Sequence, residues 1–393
     1  MMQTRTAATA PSEYAGLVAT INGCMFVFGI VLLLMGSLLP TLHVSAARAG
    51  SLGAFPLAGI LIATIVIGPI LDKAGAKLAL AVSLAMIIAA LVAMPSLEGF
   101  NALAVAAFIY GLGAGVLNAA TNTIIATLSG TGRGSALNLL GLFFSLGALI
   151  TPLLMSLTKG RLSPADVLYV LAFISAVVLV LVLRQRFPPP LQASTPLRSL
   201  LRVLKQPIVW LFAALLFFES CQENCMFVWA GKVVADLLDV PVSRSDIALF
   251  ALTAAMGVGR LTASRVLRKL GNRSVILVAT ATVIVGAVVV LLSAAFYAGL
   301  IAGFAIVGLG LSAIYPTVLG LAGDRFPDET GTVFGAIITV SLVGGTLGPV
   351  IGSWATAAHP LKVMLVPIVA AVAIAVLTLF ATRRRTSSQD SGA

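Results

Sequence analysis

Two glutamates lie four residues apart inside an otherwise apolar run, LFFESCQENCMFVWAG at 216–231. Residues four apart share one face of a helix, so Glu219, Glu223 and the intervening Gln222 form a polar stripe. We expect Glu223 to be the proton-coupling or substrate-binding carboxylate and Glu219 its modulator. The alternative stays open that one or both glutamates are protonated and only hydrogen-bond a neighbouring helix, more so for Glu219.

The surroundings of this stripe are those of a membrane. The chain has 393 residues, of which 60% are hydrophobic and 9% charged, whereas about a quarter are charged in a soluble domain. A spanning helix needs ~20 apolar residues, and the apolar runs are continuous rather than alternating, which favours a helical bundle over a barrel. Twelve spans are predicted, roughly at 17–42, 50–71, 76–95, 101–128, 134–157, 165–184, 208–235, 245–267, 273–294, 296–322, 329–356 and 361–382.

Only two of the thirteen acidic residues, Glu219 and Glu223, fall inside these spans away from helix ends. No lysine or arginine is expected at a comparable depth to neutralise them. An intramembrane charge is costly and therefore normally faces a wet cavity and serves a function. The stripe is thus predicted to carry protons as access alternates between the two sides of the membrane.

Other chemistries find little support in the sequence. The three cysteines lie in predicted spans, and an odd number there argues against a disulfide framework. The two histidines, His43 and His359, lie at loop edges, so we expect no metal site, no cofactor and no nucleophile with a base. The sequence predicts neither an enzyme nor a receptor with a soluble signalling domain.

Basic residues are distributed unequally between the two sides. Eighteen of the 24 lysines and arginines, Arg260 included, are assigned to the side of the termini, and positive loops stay in the cytoplasm. We therefore expect a multi-pass inner-membrane protein with both termini cytoplasmic. The net charge of +11 is interpreted as a topology signal and not as nucleic-acid binding, since the basic residues are scattered without aromatic partners.

The chain repeats itself. At an offset of 197, Gly111 and Gly113 fall on Gly308 and Gly310, and at 196 Gly75 falls on Gly271. Paired repeats place a transport site at their interface. We therefore predict an all-α membrane protein with two pseudo-symmetric six-helix bundles. The predicted divisions are an N-terminal bundle at 1–184, a cytoplasmic linker at 185–207, a C-terminal bundle at 208–382 and a cytoplasmic tail at 383–393.

One loop resembles a known family motif. GPILDKAGAK at 68–77 is similar to the G-x-x-x-D-R/K-x-G-x-R/K motif of the major facilitator superfamily, between spans 2 and 3. The resemblance implies the fold of that superfamily and a gating role for Gly68, Asp72, Lys73, Gly75 and Lys77. The second-half copy departs, with Ser264 for the glycine and Arg268 for the aspartate.

Three stretches resemble the fucose-permease-like, or fucose–galactose–glucose:proton symporter, branch: GLGAGVLNAATNTIIA, FFESCQENCMFVW and GLGLSAIYPTVLGLAGDRFPDETGTVFG. Glu223 matches a glutamate common in that branch. Asn118 stands where a glutamate is common, and Gly36 lies near the position of a span-1 aspartate. The resemblance implies proton-coupled transport of a sugar or related neutral metabolite. A proton-driven drug or metabolite exporter and an uncoupled facilitator remain alternatives.

Further polar and aromatic residues in the spans are candidates for binding the solute, because amides suit hydroxyl-rich ligands and rings offer flat faces. For each asparagine, packing between helices is an equal alternative, and for each aromatic residue lipid contact is the stronger one. The expected partners are a small-molecule solute, protons and the lipid bilayer, and a monomer is expected. The predicted substrate-binding residues are Asn22, Asn118, Asn122, Asn138, Gln222, Glu223, Asn224, Trp229 and Tyr315.

Overall fold

The computed structural model describes residues 15–42, 44–128, 133–157, 162–187, 202, 204–326 and 330–389. Throughout that part of the chain the regular structure is helical, with no strand, as predicted. The helices are α1 (Ala15–Leu32), α2 (Leu34–Leu38), α3 (Ala46–Ala93), α4 (Phe100–Leu128), α5 (Arg133–Leu157), α6 (Pro164–Arg184), α7 (Pro207–Leu238), α8 (Val242–Leu292), α9 (Tyr297–Arg325), α10 (Thr330–Thr356) and α11 (Leu365–Gln389), with 3₁₀ turns at Leu39–Thr41, Met94–Ser96 and Pro360–Met364.

These helices account for twelve spans. Within the described ranges, 11 helical segments are long and apolar enough to cross a membrane. The helices α1 and α2 form one span, whereas α3 and α8 each contain two. The first limb of α8, which carries Arg244, Asp246 and Arg260, is not among the 11, although it is helical over the predicted span 245–267.

One glycine divides each of the two longest helices. Gly75 in α3 has φ 76° and ψ 157°, and Gly271 in α8 has φ 71° and ψ 157°. This region of backbone conformation is essentially restricted to glycine. The two residues are those paired by the sequence repeat, so each half turns from its second span to its third through the same device.

Helix crossings also repeat between the halves. A Cβ on Gly111 in α4 would overlap the carbonyl oxygen of Pro56, and a Cβ on Gly308 in α9 would overlap that of Leu252. Gly111 and Gly308 are related by the repeat offset of 197, and Pro56 and Leu252 by the offset of 196. Small residues let membrane helices approach this closely, so α3 with α4 and α8 with α9 pack alike. The fold is two pseudo-symmetric six-helix bundles.

The two halves meet closely on the side opposite the chain termini. A Cβ on Gly36 of α2 would overlap the Phe227 carbonyl of α7, and one on Gly53 of α3 would lie 2.5 Å from the Val228 side chain. The hydrophobic core on this side is continuous through both halves. On the terminal side the second half has a separate core, which includes Leu216.

Candidate functional site

The glutamates occupy the middle of α7. This helix has 32 residues and is ~48 Å long at 1.5 Å per residue, with Glu223 half-way along. It begins at Pro207, whose fixed φ suits a first helical position, and ends at Leu238, followed by Asp239 in a left-handed conformation. Since Leu216 belongs to one hydrophobic core and Cys221 to the other, Glu219 lies at the break between them and Glu223 lies one helical turn beyond it.

Glu219 is sealed inside the protein. Its side chain is 0% exposed, and its Oε2 accepts a short hydrogen bond from Nε2 of Gln222. Within the described part of the chain, the other oxygens of the pair, Glu219 Oε1 and Gln222 Oε1, have no hydrogen-bond partner. A buried carboxylate with a free oxygen is costly, so this amide–carboxyl pair has the capacity to bind a proton or a polar ligand group.

Glu223 faces a cation that the sequence analysis placed elsewhere. Its Oε1 lies 3.6 Å from an η-nitrogen of Arg260 in α8, and the two side chains are 13% and 29% exposed. Arg260 is 11 residues before the helix break at Gly271, ~16 Å along the axis. The expectation that no lysine or arginine lies at the depth of the glutamates is therefore wrong, because Arg260, counted among the basic residues of the terminal side, lies beside Glu223.

Arg260 also reaches the other half of the protein. Its guanidinium donates to the Ser145 hydroxyl of α5 at 3.5 Å, and its Cζ lies 5.5 Å from the centre of the Phe144 ring. A cation over an aromatic face is attracted to the ring electrons. One arginine of the second half thus joins Glu223 to the first half, at the level where the two halves must separate if the protein rocks.

A hydroxyl network borders the same carboxylates. Tyr315 of α9 interacts with the Ser341 hydroxyl and lies within electrostatic reach of Glu223 and Arg260. Ser341 of α10 is joined to Ser220 of α7 by a short hydrogen bond in which either hydroxyl could donate. Three helices therefore present donors and acceptors beside the charged pair.

The span-4 asparagines form a pair of their own. Nδ2 of Asn122 donates to Oδ1 of Asn118 at 3.1 Å and to its carbonyl oxygen at 2.8 Å, and both side chains are half-buried. Asn22 of α1 is 3% exposed, and its Oδ1 has no hydrogen-bond partner among the described residues. These amides retain unused hydrogen-bonding capacity.

Two of the residues predicted to bind the solute pack between helices instead. Asn224 donates to the Ser220 carbonyl at 3.0 Å and lies against Gly345 of α10. Trp229 is 1% exposed and donates to the Pro349 carbonyl of α10 at 3.1 Å. Both side chains thus join α7 to α10, so we leave them out of the proposed solute site.

The remaining predicted residues concern α5 and the loop motif. The side chains of Asn138, Asp72 and Lys73, like the surroundings of Gly68, lie outside the described residues. Gly75 forms the break in α3 described above. Lys77 donates to the Gln185 carbonyl, just beyond the end of α6, at 3.0 Å.

One buried acid, Asp246, was not predicted from the sequence. Asp246, expected at a helix end, is 0% exposed and lies between Gly231 of α7 and Ser37 of α2. By distance and angle, neither of its carboxyl oxygens forms a hydrogen bond within the described ranges. The same is true of the Ser37 hydroxyl. Asp246 lies two residues after Arg244, at the start of the predicted span 245–267, and this position is typical of an exposed helix-end residue.

An apolar pocket lies far from the carboxylates. It is bordered by α2, the 3₁₀ turn at Met94–Ser96 and the start of α6, and its lining is almost wholly aliphatic. It has no charged lining residue, so we do not assign the solute to it.

Comparison with known proteins identifies the family. A model described as Major Facilitator Superfamily matches residues 15–349 and, in a second match, residues 226–393. The chain belongs to the Major Facilitator Superfamily. An uncharacterised MFS-type transporter of Yersinia pestis is 24% identical over 303 residues, which cover 76% of this chain and 75% of the relative.

Solved structures share the architecture. A mutant form of the nucleoside transporter NupG superposes with a TM-score of 0.76 at 14% identity, covering 93% of this chain and 97% of that one. A D-xylose-proton symporter superposes with a TM-score of 0.73 at 15% identity, covering 92% and 97%. At this identity the likeness shows the fold alone. Family and fold together make this facilitator-superfamily protein a multi-pass membrane transporter of solutes and not an enzyme.

Proposed function

We propose that this protein is a secondary active transporter that moves a small, hydroxyl-bearing, sugar-like solute together with protons. The observation that carries the proposal is the ion pair between Glu223 and Arg260, half-way through the membrane and in contact with the first half through Ser145. A titratable group at this position can change its charge when access changes sides. The xylose-proton symporter and the nucleoside transporter are compatible in fold.

The proposed solute site lies around the same pair. Tyr315 and Gln222 supply hydrogen-bonding groups beside Glu223, and Asn118 with Asn122 supplies amides from α4. Position 118 maps onto 315 at the repeat offset, so the two should stand across the pseudo-axis from each other. Asn22 of α1 supplies a further amide, and Asn138 remains a prediction. The fucose-permease-like resemblance supports a sugar-like ligand.

The proposed movement is rocking of residues 1–184 against residues 208–382. The contacts of Gly36 and Gly53 with α7 close the side opposite the termini. On the terminal side the second half has its own hydrophobic core, so the two halves can separate there without dividing a shared core. With both termini cytoplasmic, as the basic residues predict, this arrangement is an inward-facing conformation of an inner-membrane protein.

Glu223→Gln tests the coupling. In proteoliposomes with an imposed pH step, this variant should lose concentrative uptake yet retain counterflow exchange, because exchange needs no net proton movement. Lys232→Gln is the matched control: Lys232 also belongs to an ion pair on α7, with Asp236 at 2.9 Å, but it lies ~14 Å along α7 from Glu223.

The alternatives give different results. An uncoupled facilitator would equilibrate sugars without responding to the pH step, in wild type and variant alike. An exporter of amphipathic cations would be stabilised by such cations and not by sugars in a thermal screen of the purified protein. Concentrative uptake that persists in Glu223→Gln would place the coupling elsewhere, first at Glu219.

A further inference from the structure

We infer that the transported solute carries a carboxylate, which binds Arg260 after a proton has neutralised Glu223. The inference rests on the proposed function and narrows its substrate class from hydroxyl-bearing solutes to hydroxy acids and sugar acids. A guanidinium at mid-membrane is costly, and a carboxylate on the solute would supply its counter-ion whenever Glu223 is protonated.

The charges around Glu223 allow a solute carboxylate to replace Glu223 as the counter-ion of Arg260. The titratable and charged groups that face it are Glu219 on its own helix, Arg260 from α8 and Tyr315 from α9. The described contacts from α5 and α10 are uncharged: Phe144, Ser145 and Ser341. When the Glu223 carboxylate is ionised, it neutralises Arg260. When a proton adds to a carboxylate oxygen of Glu223, the guanidinium is left without its counter-ion and attracts an anion.

The geometry leaves the guanidinium available for a bidentate ligand. Its contact with Glu223, at 3.6 Å, is longer than a charge-assisted hydrogen bond of ~2.8 Å, and its contact with Ser145 is 3.5 Å. The side chain is 29% exposed. Arginine binds carboxylates through two parallel N–H donors, a fit that neither of the present contacts uses.

Proton and anion should therefore bind cooperatively. A proton on Glu223 favours the anion, and by thermodynamic linkage the anion favours the proton equally. The ionised solute and the proton enter together as a neutral complex, which crosses the apolar interior at lower cost than either charge alone. Tyr315, Asn118 and Asn122 would then contact the hydroxyl groups.

Matched ligands test the class directly. Thermal unfolding of the purified full-length protein is measured with glucose against glucuronate and with lactamide against lactate, at pH 5.5 and 7.5. Reaction of Cys24, Cys221 and Cys225 with a thiol-reactive dye reports unfolding, because all three are free and buried. We expect the acid of at least one pair to bind at least tenfold more tightly than its neutral partner, and tenfold more tightly at pH 5.5 than at 7.5.

Three variants and one control separate the roles. Arg260→Gln should weaken binding of the acid at least tenfold while sparing any binding of the neutral partner, and Arg260→Lys should restore part of it. Glu223→Gln should bind the acid at pH 7.5 as tightly as wild type does at pH 5.5. Lys232→Gln should behave as wild type, because its pair with Asp236 lies away from the site.

The outcomes distinguish this inference from the proposed function. Stabilisation by glucose without stabilisation by either acid overturns the acid class and leaves sugar transport standing. An acid that binds equally well in Arg260→Gln also overturns it. If no acid binds, and proteoliposomes take up neither acids nor neutral sugars, the inference falls with the proposed function.

Discussion

Loss of Arg260 should destabilise the protein by leaving Glu223 without its cation. Breaking a fully buried ion pair costs ~3–5 kcal/mol, whereas an exposed pair contributes ~0.2–1 kcal/mol. The Arg260 and Glu223 side chains are 29% and 13% exposed and their charged atoms are 3.6 Å apart, so the pair lies between these limits. We expect Arg260→Gln to cost about 2 kcal/mol.

That cost corresponds to a small but measurable shift in melting temperature. An unfolding entropy of ~2.1 cal/mol/K per residue gives about 0.8 kcal/mol/K for a chain of 393 residues. Arg260→Gln should therefore lower Tm by about 2–3 °C. The assay is the reaction of the buried cysteines with a thiol-reactive dye during heating, at pH 7.5 in one detergent.

The double variant separates lost pairing from lost packing. If the cost comes from an unpaired carboxylate, Glu223→Gln in the Arg260→Gln background should recover most of the lost 2–3 °C, because a neutral amide needs no cation. If the guanidinium matters only by packing on Phe144, the second change should recover nothing. A Tm for Arg260→Gln equal to that of wild type would refute the ion pair itself.

Four other changes, with Gly141→Ala as a control, test the fold. Gly75→Ala and Gly271→Ala each force a side chain into a glycine-only conformation and should each cost about 1–3 kcal/mol in thermal unfolding, whereas Gly141→Ala, with open space around it, should cost nothing. Gly36→Ala should hinder closure against α7, seen as at least tenfold faster maleimide labelling of a cysteine at Ser37 in a background without the native cysteines. Asp246→Asn should keep or raise Tm, because the carboxyl group it replaces is fully buried and has no hydrogen-bond partner within the described part of the chain.

Features that depend on local sequence were predictable. Spans follow from apolar run length, and the repeat offset paired Gly75 with Gly271 before their common backbone conformation was seen. Glu219 and Glu223 were correctly placed inside a helix within the membrane, because four-residue spacing on a long apolar run has few other interpretations.

Features that depend on packing were not predictable. Arg260 lies near a cluster of basic residues, so counting charges assigned it to the side of the termini, and only the length of α8 up to Gly271 places it deeper. Likewise, Trp229 and Asn224 share a helix with the glutamates, but which face of α7 meets α10 is decided by the small residues of α10 at Gly345 and Gly352. Such a choice of neighbour leaves no trace in the periodicity of α7 itself.

The position of Arg260 also bears on how the halves move. On the side opposite the termini, opening must separate a continuous core and the close contacts of Gly36 and Gly53, so closure there is favoured by burial. At the level of Glu223, the polar contact between the two halves that the structure describes is the hydrogen bond from Arg260 to the Ser145 hydroxyl, at 3.5 Å. Breaking this long hydrogen bond costs little free energy. A ligand that binds Arg260 therefore acts where a small change in contact free energy can shift the balance between the two conformations. Its effect can be no larger than its difference in affinity for them, which is why a solute able to replace Glu223 on the guanidinium is the one expected to drive the movement.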